Sequence, residues 1–362
     1  MKKKDMRGAV EAIWSKERIG YQPFEIFLRV VSLLYRLLIF LRNRFYDMGL
    51  LRRERLPCKV VSVGNITAGG TGKTPVVIYL ARLLKEKGFR PAVLSRGYKG
   101  KAKAPINVVS DGNRLFMKAE DCGDEPFLIG KSVAGVPVLT GPKRVITGRV
   151  AVEQFGADVL ILDDAFQHRQ LARDLDIVLV SAVRPLGNGF LLPAGPLRES
   201  PASLKRSDLI VRTGDDAEVV SLSVSGPEFR ARHRAAAVIN AATGLDFPLE
   251  DLRGQRVYAF SGIAYPEAFR KTLTAAGAVV VALLPFPDHH VYSREDIREI
   301  QKRAEEEKAD LIMTTEKDGV KLNRFHMFLE KIHLLRITMD FTPDEKAFSD
   351  AVLEKLGHPQ AD

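Results

Sequence analysis

The chain has 362 residues, 46% of them hydrophobic and 28% charged, enough apolar sequence for two domains that each bury a core, which excludes a wholly disordered protein. Its net charge of +10 and sequence pI near 9.5 point to anionic partners: nucleic acid, a phosphorylated substrate or an acidic membrane surface. Zinc-type Cys/His spacing, an RNA-binding aromatic signature and a long basic arm are all missing, which argues against nucleic acid, and the two cysteines, Cys58 and Cys122, are too few for a disulfide framework and suit a reducing compartment.

Met1-Lys2-Lys3-Lys4 is a short basic run, and residues 1–21 lack the apolar region that a secretory signal peptide places directly after such a start. Residues 24–51 are the most apolar stretch, but Arg29, Arg36, Arg42 and Arg44 interrupt it, so no uncharged run approaches the ~20 residues of a transmembrane helix. Glu25, Arg29, Ser32, Arg36 and Asn43 align on one narrow helical face, and Leu28, Val31, Leu34, Tyr35, Leu38 and Leu41 cover the rest. Such an amphipathic helix, with Trp14, Tyr21 and Tyr46 nearby, suits the membrane interface. The same pattern also fits a helix packed on its own domain.

Next comes Val60-Val61-Ser62-Val63-Gly64-Asn65-Ile66-Thr67-Ala68-Gly69-Gly70-Thr71-Gly72-Lys73-Thr74, set between a β-branched run and a helical pattern expected to open at Pro75. This is the context of a phosphate-binding loop. Gly69, Gly70, Thr71 and Gly72 let backbone N–H groups turn around phosphates, Lys73 reaches the β- and γ-phosphates, and the Thr74 hydroxyl suits Mg²⁺. Thr67 stands where the strict pattern has glycine, so the loop is a variant.

A helix over 76–87 and strands over 91–95, 136–140, 159–162 and 177–180, with a helix over 145–155, continue the β–α–β order of a parallel sheet covered by helices on both faces. Ligands in such sheets lie at the carboxyl ends of the strands. Asp163 and Asp164 end one apolar strand there, the arrangement that holds Mg²⁺ in phosphate-loop enzymes, although strand-end aspartates also serve as turn formers or caps. Gln167 and His168 follow; His168 suits either a buried hydrogen-bonded histidine or direct contact with ligand. Asp121-Cys122-Gly123-Asp124-Glu125-Pro126 precedes a further helix, where Asp124 or Glu125 fits a helix cap or a general base.

Alternating residues 219–224 and 229–237 flank Ser225-Gly226-Pro227-Glu228 and read as a two-stranded ribbon, dividing residues 1–235 from a smaller α/β domain over 236–362. In the latter, strands are expected at 257–261, 278–283 and 311–314 and helices at 266–276 and 294–308. Asp288-His289-His290 follows Pro285-Phe286-Pro287 there; a transition metal is disfavoured because neighbouring histidines in a strand diverge and further ligands are missing.

Taken together, Ser62-Val63-Gly64-Asn65, Gly69-Gly70-Thr71-Gly72-Lys73-Thr74-Pro75, Ser95-Arg96-Gly97-Tyr98, Gly123-Asp124-Glu125-Pro126, Asp163-Asp164 with Gln167-His168, Leu192-Pro193-Ala194-Gly195-Pro196-Leu197-Arg198-Glu199, Asp288-His289 and Thr314-Thr315-Glu316-Lys317-Asp318 occur in the order that resembles the tetraacyldisaccharide 4′-kinase family. The departures are Ser200, where the family commonly has proline, and His290. The resemblance implies ATP-dependent phosphorylation of the 4′-hydroxyl of a tetraacyldisaccharide 1-phosphate at the cytoplasmic face of the inner membrane, by a peripheral protein with ATP and Mg²⁺ and no obligate protein partner. It implies Asp124 as catalytic base paired with His289, Lys73 and Thr74 as phosphate and metal contacts, and Asp163 and Asp164 as the acidic metal pair, with Glu125 a further metal candidate. Arg96, Gln167, His168, Arg198, Glu199 and Lys317 are implied to line the site. Two rival classes are a membrane-associated nucleotide switch, whose deviant phosphate loop expects lysine where Ala68 stands, and a soluble small-molecule kinase, which predicts no membrane affinity.

Overall fold

The computed structural model describes Trp14, residues 22–214 and residues 226–359. They form a mixed α/β fold with a mostly parallel sheet, as the alternation of apolar strands and amphipathic helices dictates. Two compact units interleave along the chain: one takes residues up to Lys73, Leu162–Ala231 and Phe341–His358, the other Thr74–Ile161, Arg232–Asp340 and the residues from Pro359.

In the first unit, strands Lys59–Asn65, Leu175–Ser181 and Leu209–Thr213 run parallel with Leu175–Ser181 in the middle; Val61 faces Leu175 and Ile177 faces Leu209. The strand Glu228–Asn240 begins beside them, Ile210 opposite Glu228. The interiors of these strands are buried, which is why they read as continuous rather than alternating apolar runs. Ile66, Phe166, Val178, Val180, Leu191, Leu197, Leu204 and Ile210 make one core against which Tyr35 packs. Gly64 is required there by contact alone, since a Cβ would stand 2.6 Å from the Phe166 Cβ.

The helix Gln22–Asp47 belongs to this unit, and its faces are reversed from those of an ordinary core helix. Leu28 and Ser32 are buried and Val31, Tyr35, Ile39, Asn43 and Tyr46 half-buried, whereas Ile26, Phe27, Val30, Leu33, Leu34, Leu37, Leu38 and Phe40 are each more than half exposed, at 53% to 65%. The expected apolar set therefore divides: Leu34, Leu38 and Leu41 face out, but Leu28, Val31 and Tyr35 turn inward because they share the 3.6-residue stripe of Ser32 and Asn43. Among the described residues no helix is long and apolar enough to cross a membrane.

In the second unit, Pro91–Ser95, Val138–Thr140 and Asn107–Ser110 form one set of strands, parallel and then antiparallel, beside helices Lys73–Glu86, Asp124–Ser132 and Arg144–Phe155. The strand expected over 136–140 starts only at Val138, after Pro137, which has no N–H for a ladder. The helix expected to open at Pro75 opens at Lys73, because a proline in the first turn sacrifices an N–H with no intrahelical partner.

A second set has the order Val279–Pro285, Arg256–Ser261, Leu311–Thr315, Ile332–Asp340, Glu228–Asn240, parallel except for the last pair, in which His333 faces Asn240 and Asp340 faces Arg232. Period-two alternation assigns its two faces. Val257 and Ala259 enter the core with Phe269 and Leu273 of helix Pro266–Ala275; Tyr258 and Phe260 enter the other with Ile297 and Ile300 of helix Arg294–Glu306. Residues 232–240 thus pair with Ile332–Asp340, residues 229–231 having paired with Val211–Thr213, and residues 219–224, expected as the ribbon partner of 229–237, lie outside the described residues.

Candidate active site

In the first unit, the buried strand Lys59–Asn65 delivers Asn65 to the phosphate loop. Gly69 has φ +114° with nothing within 4 Å of a would-be Cβ, so backbone conformation alone demands glycine there, and Gly72 follows at +78°. Asn65 Nδ2 donates to Thr71 Oγ1 at 3.0 Å, and Thr213 Oγ1 donates to the Thr71 carbonyl at 3.0 Å. The Ala68 N–H donates to the Pro196 carbonyl at 2.6 Å and the Arg198 N–H to the Ile66 carbonyl at 2.7 Å. The Leu191–Arg198 run is therefore a splint along the loop.

The splint also delivers a charge. Arg198 Nη1 donates to both Asp164 oxygens, at 2.8 and 2.9 Å, and Lys73 Nζ stands 3.5 Å from Asp164 Oδ1. Burial works to raise the Asp164 carboxyl, but Lys73 and Arg198 together hold it below the usual carboxylate range. Asp164 takes φ +49°, a left-handed backbone costing a non-glycine residue roughly 1–2 kcal/mol, and Asp163 beside it is buried at the strand end. Gln167 Nε2 donates to the Asn65 carbonyl at 3.0 Å, and half-buried His168 follows. Glu199, expected to line the site, is instead wholly enclosed: Asn43 Nδ2 donates to it at 2.7 Å, Arg206 at 3.0 Å, and Arg42 lies at 3.9 Å. Its carboxylate anchors the helix Gln22–Asp47, since a buried charge needs donors on every side.

In the second unit, Asp124 and Glu125 occupy the first turn of helix Asp124–Ser132, where the helix dipole favours carboxylates. Of the two roles open to them, neither takes that of cap: Gly123 holds the N-cap position. Asp124 Oδ2 is 3.1 Å from His289 Nδ1. Burial pushes the Asp124 carboxyl up, but the His289 hydrogen bond and the charges of Lys321 and Lys317 outweigh it and hold the group below its ordinary value. An ionised carboxylate only accepts, so Nδ1 is the nitrogen that carries the proton.

Around this dyad, Asp288 Oδ2 lies 3.7 Å from His289 Nε2, and the Tyr98 ring meets the imidazole edge-on at 5.6 Å. Lys317 Nζ is 3.3 Å from Glu125 and 3.5 Å from Asp288. Desolvation alone would lower the Lys317 ammonium, but these two carboxylates raise it, so Glu125 serves as a counter-ion here. Arg96 is exposed at the end of strand Pro91–Ser95. His289 and His290 do diverge, although in a turn after a strand: His290 stacks on Phe286 at 4.7 Å and its Nε2 is 2.9 Å from Asp296.

Residues 24–357 match the sequence model described as LpxK, tetraacyldisaccharide-1-P 4′-kinase. The chain belongs to that family. It is 51% identical over 352 residues to the tetraacyldisaccharide 4′-kinase of Syntrophus aciditrophicus (strain SB), covering 92% of this chain and 94% of that protein. The enzyme of Pelobacter propionicus is 45% identical over 328 residues, with 90% and 91% covered. A solved structure of LpxK from Aquifex aeolicus, in complex with ATP, matches with a TM-score of 0.74 and 34% identity over 93% of this chain and 98% of that one.

In the first unit Asp163 and Asp164 offer the hard oxygens that suit magnesium, and the Asp164 carboxyl is held below the usual carboxylate range. Among the described residues no group of three or more His, Cys, Asp or Glu is gathered for a metal. Asp288, Tyr98 and Lys321 were given no role from the sequence. Asp288 and Tyr98 stood inside motifs already singled out; Lys321, three residues beyond Asp318, carried no signal of its own.

Proposed function

We propose that this protein transfers the γ-phosphoryl group of ATP to the 4′-hydroxyl of a tetraacylated glucosamine disaccharide 1-phosphate, yielding the bis-phosphorylated lipid A precursor. The observation that carries the chemistry is the hydrogen-bonded Asp124–His289 pair, a carboxylate kept ionised while substantially buried.

Each group has a distinct task. Backbone N–H groups of the Gly69–Gly72 loop and the Lys73 ammonium take up charge on the β- and γ-phosphates, and Arg198 and Lys73 orient Asp164. Thr74, Asp163 and Asp164 would hold a magnesium ion, which would supply further neutralisation of the triphosphate. Asp124 accepts the proton of the attacking hydroxyl, a contribution of ~10²–10⁴ in rate, and His289 orients its carboxylate. Lys317, bridging Glu125 and Asp288, and exposed Arg96 are suited to the anionic parts of the substrates. The helix Gln22–Asp47 seats its exposed leucines and phenylalanines in the membrane interface, which makes the protein peripheral at the cytoplasmic face of the inner membrane.

Transfer of label from [γ-³²P]ATP with Mg²⁺ to tetraacyldisaccharide 1-phosphate in detergent micelles tests the proposal. Labelled lipid, lost without acceptor, is the expected result. Lipid-independent phosphate release with no labelled lipid would replace it with the nucleotide-switch reading.

A further inference from the structure

Asp318 closes the Thr314-Thr315-Glu316-Lys317-Asp318 run, within which the proposed function uses Lys317 alone. Its side chain is wholly buried, where a carboxylate is costly unless donors meet it. Three donors do. The Gly262 N–H donates to Oδ2 at 3.0 Å, the Thr315 hydroxyl donates to the same oxygen at 2.8 Å, and Lys321 Nζ lies 2.6 Å from Oδ1.

Two of these three partners lead to the dyad. The Gly262 carbonyl accepts the His289 backbone N–H at 3.2 Å, and His289 holds the left-handed backbone, φ +59°. The same turn is tied down by Phe286 N–H to the Ser261 carbonyl at 2.8 Å and His290 N–H to the Pro287 carbonyl at 2.9 Å. Packing at Gly262 is close: a Cβ there would lie 3.1 Å from Asp318 Oδ1 and 3.2 Å from the Pro287 carbonyl oxygen. The other partner, the Lys321 ammonium, is enclosed against the Tyr292 ring at 5.5 Å, and its charge is among those that hold the Asp124 carboxyl below its ordinary value.

We propose that Asp318 is a positioning residue for the phosphoryl acceptor's base: through Gly262 it fixes the strained backbone that presents His289 to Asp124, and through its ion pair with Lys321 it holds a cation near that carboxylate. It touches no reacting atom. This inference rests on Asp124 acting as base. A buried charge is justified at such a spot because its two fixed contacts specify geometry, and small displacements of a general base are costly in rate.

The test compares Asp318→Asn and Asp318→Ala in the full-length protein, alone and combined with His289→Ala. Asparagine keeps the volume and an oxygen for the Gly262 N–H but leaves Lys321 without a counter-ion; alanine removes both. The expected result is a loss of kcat of about 10-fold for Asn and about 100-fold for Ala, with KM for Mg·ATP unchanged, because outer-shell partners act on orientation. In the His289→Ala background, Asp318→Asn should cost much less than it does alone, since the two act as a unit. The His289 ring ¹⁵N resonances should move in Asp318→Asn.

Equal losses in both backgrounds, or wild-type kcat and unmoved His289 resonances in Asp318→Asn, would overturn the inference. Asp318→Asn alone decides it if Asp318→Ala does not fold. Asp124→Ala is run alongside. Wild-type turnover there removes the base and this inference with it; lost turnover there beside wild-type turnover in Asp318→Asn removes only the role of Asp318.

Discussion

Asp124 works at the balance of opposing terms. Burial favours its neutral form, whereas the His289 hydrogen bond and two lysines favour the charged form and win. A carboxyl whose folded value lies below its unfolded value of about 3.9 contributes stability that is fully present above that pH and lost as pH falls through the folded value. As a base it must be ionised, so the acid limb of kcat that belongs to Asp124 should lie below pH about 4. His289→Ala removes the largest stabilising contact, and a pH–rate profile of that variant should show the limb displaced upward; an unmoved limb would detach His289 from the base. The dyad's partners were legible as residue types, because aspartate and histidine in short polar motifs between apolar runs have few structural reasons to be there. Their pairing was not, since Asp124 and His289 are 165 residues apart and only the resemblance joined them. Glu199 was misread for a related reason: sequence cannot tell a carboxylate that faces a substrate from one enclosed by Asn43 and Arg206.

At the scale of elements, the helix Gln22–Asp47 shows what pattern does and does not say. Its period was plain in the sequence, but an apolar stripe gives no sign of whether protein or lipid covers it. The structure resolves the orientation through polar anchors: Ser32 Oγ donates to the Leu191 carbonyl at 2.8 Å, Tyr35 donates to the Arg198 carbonyl at 3.1 Å, and Asn43 bonds Glu199. Bonds to the protein occupy the polar stripe, which leaves the leucines outward. Burying one such half-exposed side chain contributes about 1 kcal/mol, so several together would supply the affinity that the proposed interfacial seating of this helix needs. Replacing Leu33, Leu34, Leu37 and Leu38 together by serine should abolish flotation with phospholipid vesicles while leaving the melting temperature nearly unchanged, because among the described residues these side chains are more than half exposed. Retained flotation would place the contact elsewhere. Most other helices and strands were legible to within a residue or two, because buried parallel strands are continuous apolar runs. The strands Asn107–Ser110, Leu209–Thr213 and Ile332–Asp340 and the helix Glu345–Leu356 were not read from the sequence.

For the whole molecule, the proposed membrane setting would draw on both the net charge of +10 and the exposed apolar helix, by mechanisms that salt separates. Each basic residue near an acidic leaflet contributes about 1 kcal/mol and is screened, whereas the apolar term is not. Vesicle binding should therefore weaken at high salt but persist, measurably on neutral lipid too; complete release by salt would make the attachment purely electrostatic. Composition alone suggested anionic partners without choosing among them, and the choice came from a phosphate loop, a carboxylate-histidine pair and family membership. The central claim is that Asp124 takes the acceptor proton while Lys73 and the glycine loop hold nucleotide. Single-turnover phosphoryl transfer by Asp124→Ala, measured beside equilibrium binding of Mg·ATP, tests it most directly: the rate should fall ~10²–10⁴-fold with nucleotide affinity intact. A wild-type transfer rate, or a loss traced entirely to nucleotide binding, would contradict it.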